Sequence, residues 1–365
     1  MSLRTFVFIG FLAVAFRAHA YGPPGHEIVG AIADRKLAGT PTAEKIKTLL
    51  DGISLERASL IADDIKSWDK RGPDDARGIH FRDHPKIEQQ LHDFWNANPP
   101  SPDASDTTPS HHWMHYTDVP VLNAEKYGDG KYGRGNWDVV HTIPYCIGVL
   151  HGEIPEDNPR KITKTIALIL LAHCVGDIHQ PLHVGAQYFT AQGQIFEPSE
   201  NNEGFDDRGG NQLTLKLLNG TLQINAGAFH SYWDNTPVAN ARVRISKKIQ
   251  AQTHQQVDPN SDKVETFLAQ NEPANWKLQT PVGDWAEAWV NDILPMAREA
   301  HERLTFDHIT FTPNSKTIKG GDAIEKSPAD GVAYKVWAAQ SVEQEVQKAG
   351  WRLAALLSEA LKNQP

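Results

Sequence analysis

Ile166-Ala167-Leu168-Ile169-Leu170-Leu171-Ala172-His173-Cys174-Val175-Gly176-Asp177-Ile178-His179-Gln180-Pro181-Leu182-His183 is the stretch that decides the fold. Its first seven residues are apolar and contain neither Gly nor Pro, so they read as a helix buried on every side. His173 and Asp177 are four apart, and on a helix both side chains leave from one face. Pro181 bends or ends that helix and lets His183 approach from another direction. Two imidazoles and a carboxylate on or beside a buried helix are costly unless a cation satisfies them. These are zinc-type ligands.

Outward from this helix the chain remains mostly helical. Helical spacing or helix-forming composition covers 24–38, 42–51, 54–66, 138–152, 160–180, 242–256, 283–303 and 331–362. The last segment carries Ala349-Gly350-Trp351-Arg352-Leu353-Ala354-Ala355-Leu356-Leu357, an apolar face suited to packing on a core. Residues 97–110 and 192–211 are polar, rich in Pro, Ser, Asp or Gly, and read as loops. Leu213-Thr214-Leu215-Lys216-Leu217 alternates as a strand does. Asn219-Gly220 is a turn signal, and Thr221-Leu222-Gln223-Ile224 is the expected returning strand. Neither a repeat nor a linker divides the chain. The expected fold is all-α, a mainly helical single domain over 21–365 with a small β-hairpin.

The first twenty residues are read separately. Met1-Ser2-Leu3-Arg4 is a short basic start, Phe6 to Phe16 is apolar, and Ala18-His19-Ala20 is a small-x-small cleavage signal. Residues 1–20 therefore read as a secretory signal peptide, with Tyr21 as the expected mature start and a secreted or periplasmic destination. No later segment is long and apolar enough to span a bilayer. The chain of 365 residues has a net charge of −9. Removal of Arg4 and Arg17 makes this −9 − 2 = −11. An acidic chain does not hold nucleic acid through a general basic surface, so a phosphate-bearing substrate needs local positive charge such as metal ions. The two cysteines, Cys146 and Cys174, are open to a disulfide after export or to two buried thiols.

Further ligand candidates lie elsewhere. His26 falls in the first turn of the helix after Gly22-Pro23-Pro24-Gly25. Asp63 lies within the helix Ile61-Ala62-Asp63-Asp64-Ile65-Lys66. His115 follows Trp113-Met114 in a piece read as extended, and His230-Ser231-Tyr232-Trp233-Asp234 repeats the spacing of His173 and Asp177. A lone His or Asp on an apolar face is more often a core or capping residue. Two His-x-x-x-Asp pairs in one chain, one followed by His183, favour metal binding. His179 sits on another face from Asp177, which suits an outer or core role, and His111 and His112 read as surface residues.

With these pieces in hand, the chain resembles the S1/P1 nuclease family of zinc-dependent single-strand nucleases and 3′-nucleotidases. It is more distantly similar to the zinc phospholipases C. The matching pieces are Tyr21 to His26, Ala62-Asp63, His115-Tyr116, His173-x3-Asp177-x5-His183, Asp207-x-Gly209-Gly210-Asn211 and His230-x3-Asp234. Trp285-Ala286-Glu287 and the Ala349 to Ala354 tail extend the match toward the end. The family usually begins with Trp where this chain has Tyr21.

The resemblance implies three zinc ions. Asp63, His115, His173 and Asp177 would hold the first, and His183, His230 and Asp234 the second. The third would take His26, a bridging Asp177, and the amine and carbonyl of Tyr21. Only a free α-amine can coordinate, which ties that ion to signal removal. The implied activity is hydrolysis of single-stranded DNA or RNA to 5′-phosphate products by a metal-bound hydroxide, with 3′-nucleotidase activity. Lys66 stands where the family commonly has Arg and would stabilise the transition-state phosphate; it also reads as a solvated helix residue. Tyr116 and Asp118 match the family's base pocket, a stacking ring and a hydrogen-bonding carboxylate; they also read as a core ring and a turn residue before Pro120. Asn211 would place a polar group at the cleft, or simply follow a tight Gly-Gly turn. The alternatives are a phospholipase C-like lipid phosphodiesterase and a non-catalytic zinc-binding protein. A monomer is the default state.

Overall fold

The computed structural model of the protein describes residues 21–101, 110–199, 202, 204–217, 228–312 and 317–362. Ten α-helices occur among them: α1 (Pro23–Leu37), α2 (Pro41–Leu49), α3 (Leu55–Asp64), α4 (Pro85–Ala97), α5 (Val139–His151), α6 (Lys164–Asp177), α7 (Phe229–Thr253), α8 (Lys263–Gln270), α9 (Trp285–Glu302) and α10 (Tyr334–Ala360). The mainly helical reading holds.

Helix α6 is the central element. Every residue from Thr165 to Asp177 is buried, as its apolar run requires. Thr163 caps its start by accepting from the Ile166 N–H, a contact typically worth about 1 kcal/mol. Helices α1, α3, α5 and α10 pack around it. Helix α1 begins at a proline whose fixed φ suits the first helical turn. It buries Ile28, Val29 and Ile32, and each such side chain withdrawn from water contributes about 1.5–3 kcal/mol. The long α10 lies against α1 and α7 and closes the core. Cys146 and Cys174 are free and buried; the Cys174 thiol donates to the Met114 carbonyl.

Helix α7 starts well before the expected 242–256. Pro237 lies inside it, and a proline within a helical pattern reads as a break. Buried Trp233, Val238 and Ala241 hold the helix through that point. Helices α4 and α8 were not expected from the sequence. Trp113–His115 is a 3₁₀ turn, and extended backbone begins only at Tyr116.

Strands are short and more numerous than one hairpin. β1 (Val119–Pro120) runs parallel to β2 (Gly185–Ala186). β3 (Tyr188–Phe189), β4 (Ile195–Phe196), β5 (Phe205–Asp206), β8 (Thr310–Thr312) and β9 (Thr317–Lys319) form a sheet in the order β4-β3-β5-β9-β8. β6 (Leu213–Lys216), β7 (Leu304–Asp307) and β10 (Gly321–Glu325) form another, in the order β6-β10-β7. The first strand of the expected hairpin is β6; its described partners are β10, in parallel, and a bridge from Thr214 to Ala228. The returning strand over 221–224 lies outside the described residues. Strands of two to five residues are too short for alternation to announce them.

Candidate metal centre

Six elements deliver eight side chains to one buried place. Helix α6 ends at Asp177 and turns through Gln180 into a 3₁₀ turn, Pro181–His183. Asp63 comes from α3, His26 from the first turn of α1, His115 from the 3₁₀ turn before β1, and His230 with Asp234 from the first turns of α7. The pairing of β1 with β2 sets the segment after His115 beside the segment after His183. The Thr117 N–H donates to the His183 carbonyl at 2.8 Å, and His183 Nδ1 lies 2.8 Å from the His115 carbonyl.

Around Asp177, its Oδ2 lies 3.0 Å from His115 Nδ1 and 3.2 Å from His173 Nε2. Those two nitrogens are 2.9 Å apart. Asp63 Oδ1 is 3.7 Å from His173 Nε2 and 4.0 Å from His115 Nδ1. A second group joins His183 Nε2 and His230 Nε2 at 3.0 Å, with Asp234 Oδ1 3.7 Å from the latter. His26 stacks on the His173 ring and brings its Nε2 to 3.4 Å from Asp177 Oδ1. Donors bound to one tetrahedral zinc stand about 3.3 Å apart. Nitrogens and oxygens of these types converging at such spacing fit a set of divalent cations.

The backbone orients the rings. His173 Nδ1 is 2.6 Å from the Ser59 carbonyl, His183 Nδ1 faces the His115 carbonyl, and His230 Nδ1 is 2.7 Å from the Gly209 carbonyl. Each contact places a proton on Nδ1 and leaves Nε2 as the inward lone pair, the arrangement a histidine ligand requires. Gly176 makes room for His26, because a Cβ there would stand 2.7 Å from His26 Nδ1. Gly209 adopts φ +56°, and its Cβ would meet the Leu182 carbonyl at 2.1 Å. The loop that presents Gly209 is anchored by Asp207, buried 3.0 Å from His301 Nε2.

Several ligating atoms lack protein partners. His26 Nδ1 and Nε2, Asp177 Oδ1 and Asp234 Oδ2 are buried without a hydrogen bond. Buried orphans of this kind are rare, and a bound ion is one explanation for them. The electrostatics agree. Burial lowers the imidazoles of His26, His115 and His183, and pushes His230 down to about 3. They therefore stand neutral, as ligands must. Burial would also lower His173, but the Asp177 and Asp63 carboxylates outweigh it. Burial would raise Asp177 and Asp63. The imidazoles around Asp177, and Lys66 with the imidazoles around Asp63, hold both well below the usual carboxylate range. Asp234 goes the other way. Burial, with Asp63 and Asp177 nearby, drives it well up despite a hydrogen bond from Gln180. A metal bound beside that carboxylate would reverse the balance.

The remaining candidates fall as follows. Lys66 Nζ sits 2.6 Å from Asp63 Oδ1 at the edge of the cluster. Tyr116 is half-buried in extended backbone directly after His115. Asp118 is buried, and burial with Asp206 and Asp207 nearby pushes its carboxyl well up. The Asn211 amide donates to the Arg208 carbonyl at 2.9 Å, which closes its own turn. The Tyr21 ring is fully buried, with its hydroxyl donating to the His179 carbonyl; the next residue, Gly22, donates its N–H to the Asp234 carbonyl.

The sequence did not point to Gln180, whose amide donates to Asp234 Oδ1 at 2.9 Å. Nor did it point to Asp206 and the left-handed Arg208 beside Asp118. Gln180 immediately follows His179 in the decisive stretch, and its place there was the available signal. His111 is buried, not a surface residue; it and His112 share Asp69, a partner far away in sequence.

Comparison with known proteins adds the following. A family model described as S1/P1 Nuclease matches residues 21–362. Endonuclease 4 of Arabidopsis thaliana is 28% identical over 143 residues, 36% of this chain and 40% of that protein. Endonuclease 2 of Arabidopsis thaliana is 23% identical over 243 residues, 65% of this chain and 62% of that protein. The chain thus spans less than two thirds of the length of either relative.

Proposed function

The chain belongs to the S1/P1 nuclease family, and from that premise we propose that it is a zinc-dependent phosphodiesterase cutting single-stranded DNA or RNA to 5′-phosphate products, with 3′-nucleotidase activity. The observation that carries the reading is the convergence of His26, Asp63, His115, His173, Asp177, His183, His230 and Asp234, with buried atoms among them that have no hydrogen-bond partner and that a cation would satisfy. Zinc bound there supplies a nucleophile at neutral pH, charge neutralisation at phosphorus and stabilisation of the leaving oxygen.

The chain's own residues do the rest. Asp63, His115, His173 and Asp177 would hold one ion, and His183, His230 and Asp234 a second. His26 and Asp177 would hold a third with the amine and carbonyl of Tyr21, once residues 1–20 are removed on export. Burial of Gly22 against the Asp234 carbonyl supports this by tying the chain at that point to α7. Lys66 brings an ammonium to the edge of the cluster, where it stabilises charge gathering on the phosphate oxygens. Its single point of charge binds one oxygen where an Arg would bind two. Tyr116 offers a ring face to a base. Asp118, buried two residues on, offers a carboxyl group to the hydrogen-bonding edge of that base. Stacking tolerates any base and needs an exposed base face, which favours single strands.

The test is hydrolysis of single-stranded DNA by zinc-loaded protein beginning at Tyr21, with product ends identified by mass. Cleavage to 5′-phosphates that stops on chelation is the expected result. No cleavage by protein carrying its zinc would refute the reading and favour a lipid phosphodiester or a non-catalytic role.

A further inference from the structure

A second gathering of metal-type ligands lies outside the centre. Asp69 ends the 3₁₀ turn Ile65–Trp68 that follows α3. Its Oδ1 is 3.1 Å from His111 Nε2, and its Oδ2 is 2.8 Å from His112 Nε2. The three donor atoms lie within 4.8 Å of one another. We propose that Asp69, His111 and His112 form an additional binding site for a zinc-like divalent cation.

The site is built and not incidental. Trp95, from the end of α4, donates its indole N–H to Asp69 Oδ1 at 3.2 Å. Asn98, which caps that helix, accepts the His111 N–H on its carbonyl at 3.1 Å. The Asn98 amide is itself fixed to the Phe94 and Arg160 carbonyls. Ser110 Oγ accepts the His112 N–H at 3.2 Å. Three segments therefore hold the carboxylate and both rings in place. His111 is buried, which pushes its imidazole down to about 4 and keeps it a neutral donor. The His112 side chain is 40% exposed, leaving one side of the group open to water, as in zinc sites that keep free positions.

A related grouping occurs inside the main centre, where a single carboxylate oxygen faces both rings, whereas each Asp69 oxygen faces one ring. There Asp177 stands between His115 and His173 at 3.0 and 3.2 Å. Here Asp69 stands between two imidazoles at 3.1 and 2.8 Å. The carboxylate–imidazole distances in both places lie within about half an ångström of the roughly 3.3 Å separation of zinc donors. The same two segments build both places. One runs from Asp63 to Asp69, the other from His111 to His115, and each contributes to both groups. Asp69 lies six positions after Asp63, roughly 10 Å along the helical path at about 1.5–2.0 Å per residue. A cation there adds positive charge on the Lys66 side of the centre in a chain whose net charge is −9. The site stands whether or not the main centre holds three ions.

The test reads a difference in metal content. Parent protein, His112→Ala, Asp69→Asn and the double variant are dialysed to equilibrium against excess free zinc, and bound zinc per chain is measured. The His112 side chain lies on the surface side of the group and outside the hydrophobic core, so His112→Ala leaves the core intact. Each single variant and the double variant are expected to hold one ion fewer than the parent. Equal zinc in parent and variants would overturn the site. So would a double variant that loses more ions than either single one, because the loss would then reflect damage to the main centre.

Discussion

Replacing Gln180 with Leu tests how the centre holds Asp234. Gln180 and Asp234 are both buried, and their hydrogen bond is 2.9 Å long. A hydrogen bond to a charged group contributes about 1.5–3 kcal/mol. Each 1.4 kcal/mol is tenfold in affinity, so zinc binding at His183, His230 and Asp234 should weaken roughly 10- to 150-fold. An independent expectation agrees: loss of an outer partner typically costs about 10–100-fold in metal affinity or activity. The loss should grow as pH falls. Asp234 already sits well above the usual carboxylate range, and removal of its donor raises it further. Zinc must then displace a proton up to a higher pH. The Leu182 N–H also loses its acceptor, the Gln180 side-chain oxygen, so a stability loss of about 1–3 kcal/mol accompanies the change. Competition with a chromophoric chelator at two pH values separates binding from unfolding, which urea denaturation reads. A variant that binds all its zinc with parental affinity at both pH values would refute the reasoning.

Other perturbations reach other parts of the site. Gly176→Ala sets a methyl 2.7 Å from His26 Nδ1; the variant should hold one ion fewer and lose about 1–3 kcal/mol of stability, read by metal analysis and denaturant midpoint. Lys66→Ala should lower kcat roughly 100-fold with little change in zinc content, and Lys66→Arg should recover most of the rate; steady-state kinetics beside metal analysis checks both. In zinc-free protein His26, His115, His183 and His230 are lowered in the folded state, so the unfolded chain binds more protons below about 6.5, and their stability contribution is present above that pH and lost as it falls toward about 3 for His230. His173, raised in the folded state, opposes this in part, with a contribution present below about 6.5 and lost as pH rises. The net expectation is a urea midpoint that declines as pH drops from 6.5, and a midpoint independent of pH in that range would contradict it.

Much of the fold was legible because its signals are local. The apolar run before His173 could only be a buried helix, and α6 is one. Residues 331–362 carried their apolar face along their whole length and became α10. Elements whose stability comes from elsewhere escaped notice. Helix α7 continues through Pro237 because Trp233 packs against Tyr334 and Trp337 of α10 and Val238 is buried. Some of the short strands are held by neighbours about a hundred residues away, as β6 is by β10, where Leu213 pairs with Gly321.

The same division runs through the site. Residue types and spacing alone singled out His173 with Asp177, and His230 with Asp234, because four residues of helix bring two side chains to one face whatever surrounds them. The resemblance to a family joined the others to them. Only the tertiary structure decided that His26 stacks on His173, that Gln180 holds Asp234, and which nitrogen each ring turns inward. It alone brought Asp69 to His111 and His112, and made His111 a buried residue. Spacing along a helix is set by bonds within a few residues, whereas the approach of distant segments is set by packing, which no local pattern records.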